Sequence, residues 1–259
     1  MSDHPTTAAF SYWLVSYRRV WRSSVSSSFV IPLLWLAAIG YGVGGFIDRG
    51  GSGLGVSYLE YLAPGLLASV IINTAAGECT WPVHGAIRWN KQYLAMLASP
   101  LRVSDVLLGH LGFVTVRLLL TAGAFFVAMA LFGVIRSAWA PAAVAAAVLT
   151  GLAVATPVYT FAAKVEHESR FPVLYRFGVV PLMLFSGVFF PIQQLPAVLQ
   201  PLAWLSPVWH GAELCRAAML GAAAPLSAAM LVTHLGFLVL CAAAGLVAAQ
   251  RALTRRLVK

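Results

Sequence analysis

Residues 186–221 form an apolar stretch, SGVFFPIQQLPAVLQPLAWLSPVWHGAELCRAAMLG, interrupted by Pro191, Pro196, Pro201 and Pro207. Proline lacks a backbone N–H and clashes with the preceding turn, so this stretch cannot run as one straight helix. Hydrocarbon supplies no water to the backbone groups released in this way, and they must be buried in protein or line a watery cavity. The prediction is a segment, residues 191–221, that enters the membrane from the outer face and returns as short re-entrant helices. It follows a helix ending Val188-Phe189-Phe190. A broken segment of this kind belongs to a protein that opens a path, which makes Phe189, Phe190, Pro191, Pro196, Glu213 and Arg216 the candidate outer gate.

The surrounding composition sets the segment in a membrane. Hydrophobic residues make up 60% of the 259 and charged residues 10%, and mean hydropathy is +0.84, far from the balance of a soluble domain. At roughly 20 residues per crossing, the pattern predicts an all-α polytopic protein of one membrane domain, residues 1–259. Its six spans are Ser27 to Ile47, Tyr58 to Val83, Asp105 to Ile135, Pro141 to Ala163, Val173 to Phe190 and Leu226 to Gln250. Ahead of them, Phe10, Trp13, Leu14, Tyr17 and Trp21 recur at helical spacing beside Arg18, Arg19 and Arg22, which predicts an interfacial helix within residues 1–26. The N-terminus lacks the order of regions of a cleaved signal and is expected to be retained. Cys79, Cys215 and Cys241 have no metal-ligand spacing and are expected as small core residues.

Lysine and arginine placement predicts orientation. With the N-terminus in the cytoplasm, 13 of the 17 basic residues fall inside, counting Arg176 at the inner end of the fifth span; Arg49, Arg136 and Arg216 fall outside, and Arg117 lies within a span. The positive-inside bias therefore puts both termini in the cytoplasm. On this reading the net charge of +9 reports topology and contact with anionic membrane lipids rather than binding to nucleic acid.

The connection between the second and third spans, RWNKQYLAMLASPLRVSD, is too long and too patterned for a simple turn. Trp89, Tyr93, Leu94, Met96 and Leu97 can form one apolar helical face ended by Ser99-Pro100. Together with Leu62 to Ser69 (LAPGLLAS), Gly77 to Thr80 (GECT), Phe189 to Pro196 (FFPIQQLP), Pro207, Arg216, Leu220 and Gly221, the chain resembles the ABC-2 type transporter permeases. Within that family it is similar to the branch of nodulation-type lipo-oligosaccharide exporters and antibiotic-resistance exporters. The resemblance spans roughly Tyr58 to Gly221 and implies the permease subunit of an ATP-driven ABC exporter in a bacterial plasma membrane. It implies a second permease chain, homo- or heterodimeric, and a separate ATPase subunit that holds the ATP and Mg. It also assigns residues 88–98 as the cytoplasmic coupling helix, with Arg88, Trp89, Lys91, Tyr93, Leu94, Met96 and Leu97 as the ATPase-coupling residues, and residues 1–26 as a connecting helix. The cargo class it implies is an amphipathic small molecule or a lipid-linked glycan.

No catalytic residue and no cofactor site is expected on the chain itself. The phosphate-binding pattern G-x-x-x-x-G-K-[ST] does not occur, and the glycines of GGSGLG, Gly50 to Gly55, lie in a short loop with no Lys-Ser/Thr after them. A zinc reading of Glu166-His167-Glu168 fails because the second histidine of H-E-x-x-H would fall at Phe171. A membrane-embedded enzyme would need converging acids, whereas Asp48, Glu60, Glu78, Asp105, Glu166, Glu168 and Glu213 are scattered over both faces.

Glu78, His110 and Arg117 are the ionisable residues deepest in the predicted spans, and charges there need partners or water. Glu78 and His110 each lie five residues from the inner end of a span, roughly 8 Å deep at 1.5 Å per residue, which predicts that they pair. Such a cluster would serve either as a static polar clasp or as a link passing motion between spans two and three. The rival function is a proton-coupled secondary transporter in which Glu78 and His110 carry the proton. Glu213 and Arg216 are predicted to form an i,i+3 pair that orients their helix, and His84, His210 and His234 are predicted to be isolated packing residues.

Overall fold

The computed structural model describes residues 5–19, 30, 33–51 and 54–258, and all regular structure among them is helical. The first helix, α1, is Pro5–Tyr17. Helix α2 covers 33–49 and contains a π-helical stretch, Ala38–Gly44, before Gly45–Arg49. There follow α3 (Tyr58–Cys79), α4 (Trp81–Arg88), α5 (Gln92–Leu97), α6 (Val103–Leu131) and α7 (Ala142–Lys164). Helix α8 covers 171–185 and has a π-helical middle, Tyr175–Val179. The chain closes with α9 (Gln200–Trp204), α10 (Pro207–Leu220) and α11 (Ala228–Leu257).

Four helical stretches are long and apolar enough to cross a membrane: Tyr58–Arg88, Val103–Leu131, Ala142–Lys164 and Ala228–Leu257. The first and fifth expected spans differ from regular crossings. Residues 27–29 and 31–32 of the first lie outside the described residues, as do Trp21 and Arg22 of the expected interfacial helix. The fifth does not stay helical to Phe190: α8 stops at Phe185 and residues 186–190 bend, with Gly187 at φ 68°, a left-handed conformation that glycine tolerates.

The second expected span ends in a break instead of running straight to Val83. Thr80 leaves helical geometry at ψ −91°, its hydroxyl donates to the Ala76 carbonyl at 2.9 Å, and Pro82 sits in the first turn of α4, where its missing N–H leaves no bond unmade. The chain then continues as α4 to Arg88.

Small residues and hydroxyls join the helices, because lipid tails give no hydrophobic drive for apolar helices to associate and close van der Waals approach takes over. Gly245 of α11 meets Thr156 of α7, whose hydroxyl donates to the Ala242 carbonyl at 3.1 Å. One turn on, Thr160 donates to Gly245 at 3.2 Å. Gly211 of α10 sits against Thr150 of α7, and Gly109 of α6 lies against Ala9 of α1. Helix α1 is thereby packed on α6, and Thr6 donates to the Asp105 carboxylate at 2.9 Å.

At the opposite end of α3 from α5, Ser57 and Glu60 close a reciprocal cap: the Glu60 carboxylate accepts from the Ser57 N–H at 2.9 Å, and Ser57 Oγ accepts from the Glu60 N–H at 3.3 Å. Glu60 also pairs with Arg136 of the α6–α7 loop at 2.5 Å, and the Arg136 N–H donates to Met219 at the end of α10 at 3.0 Å. The broken segment therefore caps this end of the bundle, the end at which α11 also begins.

Candidate functional site

One face of α3, spaced i, i+3/i+4 and i+7, carries Leu66, Ser69, Val70, Asn73 and Gly77. Opposite it stand Arg117, Thr121 and Phe125 of α6. Between them lies a cavity of about 570 Å³, closed by Trp35 of α2, Met183 of α8, and Phe189. Its wall is mostly apolar with a few polar groups, the usual character of a small-molecule site. Asn73 Nδ2 donates to the Ser69 carbonyl at 3.1 Å and contacts the Met183 sulfur at 2.8 Å. Ser69 Oγ and Thr121 Oγ1 are buried at 0% and 2% exposure and make no hydrogen bond among the described residues. An unmade buried bond costs about 1–3 kcal/mol, so both hydroxyls are available to a guest with hydroxyl or amide groups.

The end of the cavity nearest α5 is charged. Arg117 Nε donates to Glu78 Oε1 at 2.8 Å, Nη1 donates to the Tyr17 hydroxyl at 2.8 Å, and the guanidinium lies 4.8 Å over the Tyr17 ring. Three elements, α1, α3 and α6, meet on this one arginine. The expected pairing of Glu78 with His110 is corrected: no hydrogen bond joins their side chains. His110 Nδ1 instead shares a hydrogen bond with the Tyr93 hydroxyl at 2.6 Å, and Tyr159 of α7 donates to Tyr93 at 2.8 Å. Equal depth placed Glu78 and His110 at one level, and the His110 ring does face the Glu78 backbone, but the Glu78 carboxylate is taken by Arg117, and Trp13 of α1 stacks on the His110 ring at 4.0 Å.

The expected coupling helix is also revised. Arg88 closes α4, Trp89 caps it, and Lys91 adopts a left-handed φ of 48°, so the second helix begins only at Gln92. Tyr93 does not share an exposed face with Leu94 and Met96. It is fully buried, Met96 and Leu97 lean on the core, and Leu94 and Trp89 are exposed at 44% and 57%. Arg88 and Lys91 are exposed beside them. Burial holds the Tyr93 hydroxyl well above the ordinary tyrosine pKa.

The gate residues divide. Phe189 lines the cavity, whereas Phe190 packs with Ile192, Leu195 and Trp209 in a separate apolar cluster under the broken segment. Pro191 lines a second depression with Glu213 and Arg216, and Pro196 is exposed. Arg216 pairs with Glu213 at 2.7 Å as expected, but it is 3% exposed and does far more. It donates to the carbonyls of Tyr61 at 3.1 Å, Val188 at 3.3 Å, and Gly187. His210 and His234 are not isolated either: their Nδ1 atoms lie 2.7 Å apart, tying α10 to α11. Cys79 and Cys215 are buried free thiols, and among the described residues no three metal-ligating side chains gather.

Ser69, Asn73, Thr121 and Tyr159 were missed in the sequence. For Thr121 the available signal was helical spacing, one turn beyond Arg117, whereas the helix that carries Tyr159 held no residue already singled out. Residues 7–220 match the family model for the ABC-2 type transporter. The chain belongs to the ABC-2 type transporter family. Among its relatives, this ABC-2 chain is 29% identical over 216 residues to Nodulation protein J of Rhizobium leguminosarum bv. trifolii, covering 81% of each chain. It is 27% identical to Nodulation protein J of Neorhizobium galegae, over 87% of this chain and 84% of the relative. To the protein of that name from Rhizobium meliloti it is 26% identical, over 81% of each. The family and the apolar helices make the chain a multi-pass membrane transporter subunit.

Proposed function

We propose that the chain is the permease subunit of an ATP-driven exporter in a bacterial cell membrane, paired with a second permease chain. A separate ATPase that binds the ATP and Mg docks on α5 and the turn before it. The two-sided character of α5 carries this reading. Tyr93 is locked to α6 and α7, while Leu94 and Trp89 stand exposed beside Arg88, so a push on the exposed side would reach the helices that wall the cavity. The distribution of basic residues supports cytoplasmic termini.

The cavity supports the cargo class. An apolar wall with a few hydroxyls and a charged end suits an amphipathic molecule or a lipid-linked glycan, in line with the resemblance to lipo-oligosaccharide exporters. Proton-coupled transport through a Glu78–His110 pair is the weaker reading, since these side chains bond to Arg117 and Tyr93 instead.

Affinity purification of the tagged chain from native membranes, with mass spectrometry, should recover a soluble ABC ATPase. Accumulation of a fluorescent amphipathic lipid analogue within inside-out vesicles carrying that complex should require ATP added outside and survive a protonophore. Transport driven by a pH gradient without ATP would overturn the reading.

A further inference from the structure

The last turns of α11 carry a cluster of positive charge that coupling and cargo passage do not use. Ala248, Arg251, Ala252 and Arg255 recur at i, i+3, i+4 and i+7 and so share one helical face. That face meets Ala163 and Lys164 at the end of α7, and together with Arg256 they line a cavity of about 480 Å³. The alanines open the notch, because a larger side chain at Ala163 or Ala252, 1% and 6% exposed, would fill the space between the helices.

Four cations line this notch. The one acid bonded to any of them is Glu166, 3.8 Å from Arg256, and among the described residues Lys164, Arg251 and Arg255 make no side-chain hydrogen bond or ion pair. Cations held this close repel unless an anion joins them. The notch lies where the apolar part of α11 ends, and Leu240 and Val247 just before it are 67% and 50% exposed, an apolar track leading to a cationic pocket. Guanidinium groups match phosphate oxygens in geometry as well as in charge, and basic pockets between membrane helices suit anionic head groups.

We propose that Lys164, Arg251, Arg255 and Arg256 bind the phosphodiester of an anionic phospholipid, whose chains run along α11 and whose head group bridges α7 and α11. A bound lipid then adds a polar clamp at one end of an interface that glycine–threonine contacts and buried apolar side chains already hold. The site does not depend on the cargo or on the ATPase.

The test uses the full chain in nanodiscs of phosphatidylcholine doped with spin-labelled phosphatidylglycerol, reading the fraction of label held at the protein. The wild type should hold phosphatidylglycerol over phosphatidylcholine, and R251Q/R255Q should weaken that preference by about tenfold or more. K164Q should give a smaller loss, and R170Q/R176Q, with the same change in charge, should keep the preference. Millimolar glycerol phosphate should not release the label. An unchanged R251Q/R255Q, or an equal loss in R170Q/R176Q, would overturn the site. Release by glycerol phosphate would assign it to a soluble phosphate compound. Normal lipid retention with loss of a bound ATPase in R251Q/R255Q would make it a protein contact.

Discussion

Arg216 lies over the ring of Tyr61, its Cζ 4.0 Å from the centroid, while its Nε donates to the Tyr61 carbonyl at 3.1 Å. One buried guanidinium thus fastens α10 to α3 and to the bend at Gly187 and Val188, and Gly65 leaves room for it, since an added Cβ there would come within 3.0 Å of both Arg216 Nη2 and the Val188 carbonyl. Replacing Arg216 by methionine removes the charge and strands several carbonyls, each costing about 1–3 kcal/mol. R216M should insert but lose several degrees of melting temperature in detergent, whereas E213Q, which leaves those carbonyl contacts in place, should lose little.

Glu78 and Arg117 should couple, and Glu78 and His110 should not. A double-mutant cycle with E78Q and R117Q, read as detergent stability, should give about 0.6 kcal/mol and no more than about 1.7. The cycle with E78Q and H110A should be additive within error. Coupling only in the second cycle would restore the pairing expected from depth.

Tyr93 and Leu94 are neighbours with opposite duties. Y93F removes the hydroxyl bonded to His110 and should cost about 1 kcal/mol of stability while leaving ATPase co-purification intact. L94E should leave melting unchanged and reduce the ATPase recovered. A shared phenotype would mean that α5 is not two-sided.

Gly211 is a contact no side chain can share, because an added Cβ would lie 2.1 Å from Thr150 Oγ1. G211A should destabilise by about 1–3 kcal/mol, as overpacked cores do, and T150A in the same chain should recover part of that loss. Absence of recovery would place the strain elsewhere.

Topology is read by labelling. Single cysteines at Gln194 and Ala223, both exposed, in a background lacking Cys79, Cys215 and Cys241, should react with an impermeant thiol reagent added outside intact cells. Reaction of A223C only after permeabilisation would require a further crossing and put the C-terminus outside.

Composition, proline spacing and helical periodicity were enough to read an all-α membrane protein, the broken segment after Phe190, and the position of a helix near Leu94, since burying apolar surface and satisfying backbone groups in lipid are constraints each segment meets by itself; the ABC-2 family came from the resemblance of its motifs. Which side chains meet depends on how whole helices rotate and approach, and rotation is not written at any one position. Glu78 and His110 share a depth, but their side chains bond different partners, Arg117 and Tyr93. Tyr93 belongs to the apolar face of its helix, yet the core took it and left Leu94 outside. Arg216 forms the i,i+3 pair expected to orient its helix, but α3 and the Gly187 bend also brought it their carbonyls. The tertiary structure alone decided these partners, because a buried charge or hydroxyl takes whichever donors and acceptors the packed helices bring within reach.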